Sequence, residues 1–238
     1  TTATTVSTGT EGFADGADIV SAGTMVGALT HSIFGGGGAD TIHNAGIDTG
    51  ATLYIDGGNL GDRIRLASSN PLANYTLMGG AGADTIDVRT QQLASGGLIS
   101  LGDGNDRMSA GAVIANSSIT GGSGVDTIRL ISLTGQYVDG GAHADSIYIG
   151  LRIGDSSSIY GGAGADTITL AGDYQSGATV SIDGGAGNDS FTLNSAGFNE
   201  VAAINIYATQ GTINGGAGND TINLGINTIL AAGGMTAA

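Results

Sequence analysis

Ten aspartates, Asp18, Asp40, Asp62, Asp84, Asp106, Asp126, Asp145, Asp166, Asp189 and Asp220, recur at intervals of 22, 22, 22, 22, 20, 19, 21, 23 and 31 residues. Each closes a variant of one phrase, apolar-x-Gly-Gly-x-Gly-x-Asp-Thr/Ser-Ile-x-Leu, which Ile159 to Leu170 carries in full. A repeat of this length predicts a solenoid, in which one repeat is one coil and buries its apolar face only against the next coil.

Aligned on the aspartates, the sequence shows which side chains go inside. Two residues after each stand Val20, Ile42, Ile64, Ile86, Met108, Ile128, Ile147, Ile168, Phe191 and Ile222, and a mostly apolar column follows two residues later. A period of two is strand spacing. Seven residues before the aspartate, from Ile33 to Ile213, runs another apolar column. The expectation is all-β: a parallel β-roll or β-helix of about ten coils, with one Gly-Gly-x-Gly-x-Asp turn between two strands in each coil. Residues 1–17 read as a Thr-rich lead with a degenerate cap repeat, 18–224 as the solenoid with an extra-long coil at 190–212, and 225–238 as an apolar end segment.

Several turns depart from the phrase. Phe13 and Ala14 replace the paired glycines before Asp18, Leu60 and His143 occupy third-glycine positions, and Leu101 a first-glycine position. These turns are expected to be distorted. Pro71 falls in the corner opposite the turn, where its missing N–H removes no ladder bond. His31, His43 and His143 are too scattered for a zinc pattern and are expected on the surface. Arg63, Arg65, Arg107 and Arg129 fall one or three residues after a register aspartate, hence on the outward side, with Arg65 beside Asp87 of the next coil.

The acidic side is almost all aspartate. Nineteen Asp and two Glu face six Arg and no Lys, for a formal net charge of −15. That balance disfavours nucleic acid and anionic membrane surfaces as partners. No apolar run reaches membrane-spanning length, and no cysteine is present to staple the fold. Stacked coils place equivalent residues about 4.8 Å apart. Two carboxylates that close repel by roughly 3–4 kcal/mol at an effective dielectric of about 20. A divalent cation between successive turns relieves the repulsion, and carboxylates with glycine-exposed carbonyls form the hard oxygen set that calcium prefers. Without metal, the aspartates would instead cap the turns by hydrogen bonds to backbone.

The phrases Gly161-Gly-Ala-Gly-Ala-Asp-Thr-Ile-Thr, Gly184-Gly-Ala-Gly-Asn-Asp-Ser-Phe-Thr and Gly215-Gly-Ala-Gly-Asn-Asp-Thr-Ile-Asn resemble the calcium-binding nonapeptide of the RTX, or haemolysin-type, family. The resemblance implies a secreted parallel β-roll that folds as calcium binds between stacked loops, with type I export through an uncleaved C-terminal signal. It further implies several calcium ions stacked along one edge. The ligands would be Asp18, Asp40, Asp62, Asp84, Asp106, Asp126, Asp145, Asp166, Asp189 and Asp220. Carbonyls of the intervening residues would join them, in the turns holding Gly36 and Gly38, Gly80 and Gly82, Gly122 and Gly124, Gly162 and Gly164, Gly185 and Gly187, and Gly216 and Gly218. The family sets two nonapeptides in a coil, and this chain about one, so calcium is expected along one edge only.

No catalytic constellation is visible, and the expected role is not enzymatic. The first reading is a secreted structural protein of an extracellular filament or surface layer, built head to tail from copies of itself. A calcium-dependent adhesin or glycan-binding module of a larger secreted protein, with cell-surface polysaccharide as partner, is the alternative. An acidic-polysaccharide enzyme of the β-helix type fits worst, because it needs a base and cations that a chain without lysine supplies poorly.

Overall fold

The computed structural model describes residues 3–6, 10–12, 15–25, 30–47, 50–67, 74–88, 96–111, 116–154, 156–174, 180–193, 204–206, 212–224 and 228–230. Pro71, Phe13 and Ala14 lie outside them. Among the described residues there is no helix. A ten-stranded sheet, from Thr10–Gly12 to Thr212–Asn214, takes every strand that leads into a glycine turn. A twelve-stranded sheet takes the strands that leave those turns, from Ala3–Val6 to Thr221–Leu224, with Asp173–Tyr174 added beside Ser146–Ile153. We call them the leading and trailing sheets. Strands of successive coils pair in parallel and in register, Ile99 with Ile119 and Met108 with Ile128.

The regular stack is shorter than the ten coils that the aspartate count predicts, at about six turns. The coils of Asp62, Asp84, Asp106, Asp126, Asp145 and Asp166 have strands of at least four residues in both sheets, paired on each side with strands of at least four. Toward the ends the leading strands Thr10–Gly12 and Thr212–Asn214 shrink to three residues. In the long interval before Asp220, Ile204–Ile206 pairs with Thr228–Leu230 in a separate two-stranded sheet.

The core is the narrow space between the sheets. Ile33, Ile55, Leu77, Ile99, Ile119, Val138, Ile159 and Ile182 fill it from the leading sheet, and Ile42, Ile64, Ile86, Met108, Ile128, Ile147, Ile168 and Phe191 from the trailing sheet. A third inward column lies nine residues before each aspartate and mixes types: His31, Leu53, Tyr75, Ser117, Gln136, Ser157 and Val180 are all buried. His31 therefore corrects the surface expectation. It is fully buried, and neither ring nitrogen has a hydrogen-bond partner, because its column points inward by the same alternation that buries Ile33. His143 is exposed and His43 half-buried.

The corner opposite the glycine turn has its own rule. Ten residues before the aspartate, Asn74, Gly96, Asn116, Gly135 and Ser156 all have positive φ, from 50° to 95°. Asn and Gly tolerate that conformation best, so this corner closes with a left-handed residue even where its length varies.

Candidate metal centre

The aspartate column is a hydrogen-bonded ladder. The amide of each aspartate donates to Oδ1 of the aspartate one coil on, from Asp18 to Asp40 at 2.7 Å through to Asp189 to Asp220 at 3.0 Å. Asp40, Asp62, Asp84, Asp106, Asp126, Asp145 and Asp166 make the same bond at 2.6–2.9 Å. Each aspartate carbonyl accepts in turn from the residue after the next aspartate, as Thr85 donates to Asp62 at 2.8 Å. From Asp40 to Asp220, one oxygen of each carboxylate is thereby tied to backbone, as the turn-capping reading requires.

The other oxygen is left over. Oδ2 of Asp40, Asp62, Asp84, Asp106, Asp126, Asp145, Asp166 and Asp189 is buried without a hydrogen-bond partner. Except in the coil of Asp106, where Leu101 takes that position, it points under the first glycine of its own turn: a Cβ on Gly79 would lie 2.6 Å from Asp84 Oδ2 and would run into the Leu101 carbonyl of the next coil. A carboxylate oxygen and the next coil's carbonyl thus converge beneath a glycine in seven of the eight coils. Eight buried acceptors without donors are costly, and a hard cation satisfies such a set. Among the described residues no three acidic or histidine side chains gather, so a cation here would draw its remaining ligands from backbone carbonyls. The residues fit calcium on those terms, with Asp and turn carbonyls holding it and the ion supplying positive charge to a buried acidic column.

Burial raises the pKa of these carboxyls first, and the repulsion between neighbours comes after it. Asp62 and Asp145 are pushed up to about 7, and Asp84 and Asp126 to about 6. Asp40, Asp106, Asp166 and Asp189 shift in the same direction. The amide bond from the preceding aspartate opposes the shift, and nearby carboxylates reinforce it. Mutual repulsion, the main motive for a cation in the sequence, is therefore the lesser cause.

The glycines at the second and third turn positions carry the backbone through a left-handed path. Gly36, Gly80, Gly122, Gly162, Gly185 and Gly216 have φ between 92° and 113°, and Gly38, Gly82, Gly124, Gly164, Gly187 and Gly218 between 118° and 150°. The weak turns are distorted but closed. Leu60 and His143 take φ of 70° and 83° in place of glycine, and the aspartate ladder runs unbroken through Asp62 and Asp145. Leu101 turns into the core, fully buried, and Asp106 keeps its place in the ladder. Asp18 lies at the lower end, where it donates to Asp40, and Asp220 at the upper end is half-buried.

A two-sheet parallel roll with a buried carboxylate in each turn is a cation-binding architecture. The family model described as RTX calcium-binding nonapeptide repeat (4 copies) matches residues 32–48, 76–88, 154–173, 180–195 and 212–228, so this chain carries RTX calcium-binding repeats on a β-roll. The matched segments hold the turns of Asp40, Asp84, Asp166, Asp189 and Asp220; the four turns with replaced glycines are not among them. No curated protein and no solved structure matches the chain. No helix among the described residues is long and apolar enough to cross a membrane.

Proposed function

We propose that this RTX β-roll is a secreted, non-catalytic structural protein. Calcium bound along the turn edge, by the aspartates and the turn carbonyls around them, holds the coils together. Copies then join head to tail into an extracellular filament or surface layer. The observation that carries this reading is the direction of the aspartate ladder. Every coil meets the next through the same bond from amide to Oδ1. At the lower end Ala3–Val6 extends the parallel pairing past Asp18 without an aspartate of its own, so a coil from a second copy would continue the strand pairing of the stack, an open heterologous contact.

Circular dichroism and light scattering followed together through a calcium titration, over the roughly 0.1–10 mM range of extracellular calcium modules, test it. A rise in β signal with growing scattering is expected. A protein that gains β structure yet stays monomeric at high concentration removes the assembly. A calcium-dependent adhesin is the second reading, favoured by five exposed arginines on the outer face of the trailing sheet; a glycan array probed with wild type and with Arg65→Ala/Arg129→Ala decides it.

A further inference from the structure

The outer faces of the two sheets carry opposite charge. Arg63, Arg65, Arg107, Arg129 and Arg152, five of the six arginines, project from the trailing sheet and are exposed. Among the described residues, the leading sheet bears Asp56, Asp139 and Asp183 on its outer side and no base there, and Asp103 is exposed in the adjoining glycine turn, in register with Ala81 and Ser123. In a chain of net charge −15, gathering the bases on one face leaves that face complementary to the opposite face of the same molecule.

The charges also share a spacing. The coil of Asp62 carries Arg63 and Asp56, the coil of Asp106 carries Arg107 and Asp103, and the coil of Asp145 carries Arg152 and Asp139. These coils are two apart, about 10 Å at the spacing of paired strands. A copy displaced sideways, without sliding along the axis, therefore brings Arg63, Arg107 and Arg152 of one trailing sheet level along the axis with Asp56 and Asp139 of the next leading sheet and Asp103 of its turn, with Arg63 and Arg107 in one column and Arg152 further along its strand.

Two contacts within the chain reduce the basic face without removing it. Arg65 stands in register with Asp87, a buried carboxylate, and Arg152 in register with Asp173. Arg129 lies 4.6 Å above the Tyr148 ring. Aromatic pairs flank the aspartates on the acidic face. Tyr137 donates to Asp139 at 2.8 Å and packs on Tyr160, and Phe34 packs on Tyr54 beside Asp56. Exposed Ile131 and Leu151 add apolar area near Arg129 and Arg152.

We infer that the arginine-bearing face of one copy docks on the aspartate-and-tyrosine face of a second, in axial register, so that rods associate sideways into a layer. The inference rests on the self-assembly reading and specifies its second dimension. Single surface ion pairs are weak, but a pattern repeated along a rod gains by multivalency. Calcium along the turn edge assists by offsetting the net negative charge that otherwise holds copies apart.

The test uses the calcium-loaded full chain, viewed by negative-stain electron microscopy and followed by light scattering across a salt series. Wild type should form sheets at low salt and threads one molecule wide near 1 M, where the screening length falls to about 3 Å. Arg63→Glu/Arg107→Glu/Arg152→Glu and Asp56→Lys/Asp103→Lys/Asp139→Lys should each give only threads, and a mixture of the two should restore sheets, since each then offers the charge the other lacks. If the lysine variant fails to gain its β signal in calcium, the corresponding asparagine variant replaces it, with loss of sheets expected. Sheets that persist in the arginine variant, or a mixture of folded variants that restores nothing, overturn the inference. So does an arginine variant that keeps its sheets but loses binding to a soluble polyuronate, which would assign the face to acidic polysaccharide. Wild-type threads that never widen leave head-to-tail assembly standing and sink the lateral contact alone, whereas a wild type that stays monomeric in calcium sinks both.

Discussion

The Tyr75 hydroxyl lies 2.7 Å from Ser117 Oγ, 42 residues and two coils further on. Its ring covers the coil between, occupying the space a side chain at Gly97 would need: a Cβ there would overlap three atoms of the phenol ring. One tyrosine thus clamps three coils, and Gly97 is glycine because Tyr75 passes over it. Gly97→Ala should destabilise the roll by about 1–3 kcal/mol, the range for overpacking. Tyr75→Phe should cost about 1 kcal/mol for the lost hydrogen bond. In the double variant Gly97→Ala/Tyr75→Ala the alanine penalty should largely vanish. Urea unfolding in calcium reads all three, and additive losses in the double variant would show that the ring and the glycine do not compete for space.

In chelator, stability should fall as pH rises. The folded carboxyls of Asp62, Asp84, Asp126 and Asp145 titrate at about 6–7, against 3.8 for an ordinary aspartate. A carboxyl whose folded pKa is raised binds its proton more tightly in the folded state. Its stabilising contribution is complete below about pH 3.8 and is lost as pH rises through 6–7. The metal-free roll is therefore expected to be more stable at pH 5 than at pH 8, with calcium taking the proton's place at the higher pH. Denaturant midpoints at the two pH values, with chelator and with calcium, check this. A chelator midpoint that is flat or higher at pH 8 contradicts it.

The alternation around each aspartate makes both sheets, their parallel order and the glycine turns readable in the sequence, because a column repeated ten times averages out local exceptions. The column nine residues before the aspartate does not average. It runs through His31, Leu53, Tyr75, Gly97, Ser117, Gln136, Ser157 and Val180, so its mixed composition hides its inward direction, and His31 reads as a surface residue. The left-handed corner residues are Asn74, Gly96, Asn116, Gly135 and Ser156, and they change identity from coil to coil. At the site, the aspartates and glycines are legible. Spacing alone does not show that one carboxylate oxygen is taken by the neighbouring amide while the other is buried, which turns a question of repulsion into one of desolvation.

Asp126→Asn separates turn capping from metal binding. Asparagine keeps the Oδ1 that accepts from the Asp106 amide at 2.8 Å, and it replaces the buried, partnerless Oδ2 with a neutral amide. In chelator near pH 8 this variant should be at least as stable as wild type, because a buried negative charge is gone. In calcium it should lose most of the local gain that the ion gives wild type. Asp126→Ala removes the acceptor as well and should cost about 1–3 kcal/mol in both conditions. Equal behaviour of the asparagine variant and wild type in calcium, by melting and by bound-calcium count, would leave the column as a capping device.

Leu60 and His143 occupy the same turn position and should respond differently to glycine. Leu60 sits at φ 70° with its side chain 62% exposed, so it gains little burial for a conformation that costs a branched residue about 1–2 kcal/mol. Leu60→Gly should therefore stabilise the calcium-loaded roll by about 1 kcal/mol, after the glycine's greater unfolded-state entropy is subtracted. His143, at φ 83°, has a ring that repays part of the strain. Its Nδ1 lies 3.2 Å from the Gly124 amide and 2.8 Å from the Ala142 carbonyl, and accepts from the first or donates to the second according to the tautomer. His143→Gly should accordingly leave stability within about 0.5 kcal/mol of wild type, the ordinary range for a surface change. Paired urea titrations in calcium decide between this and a common strain mechanism, under which the two variants would gain alike.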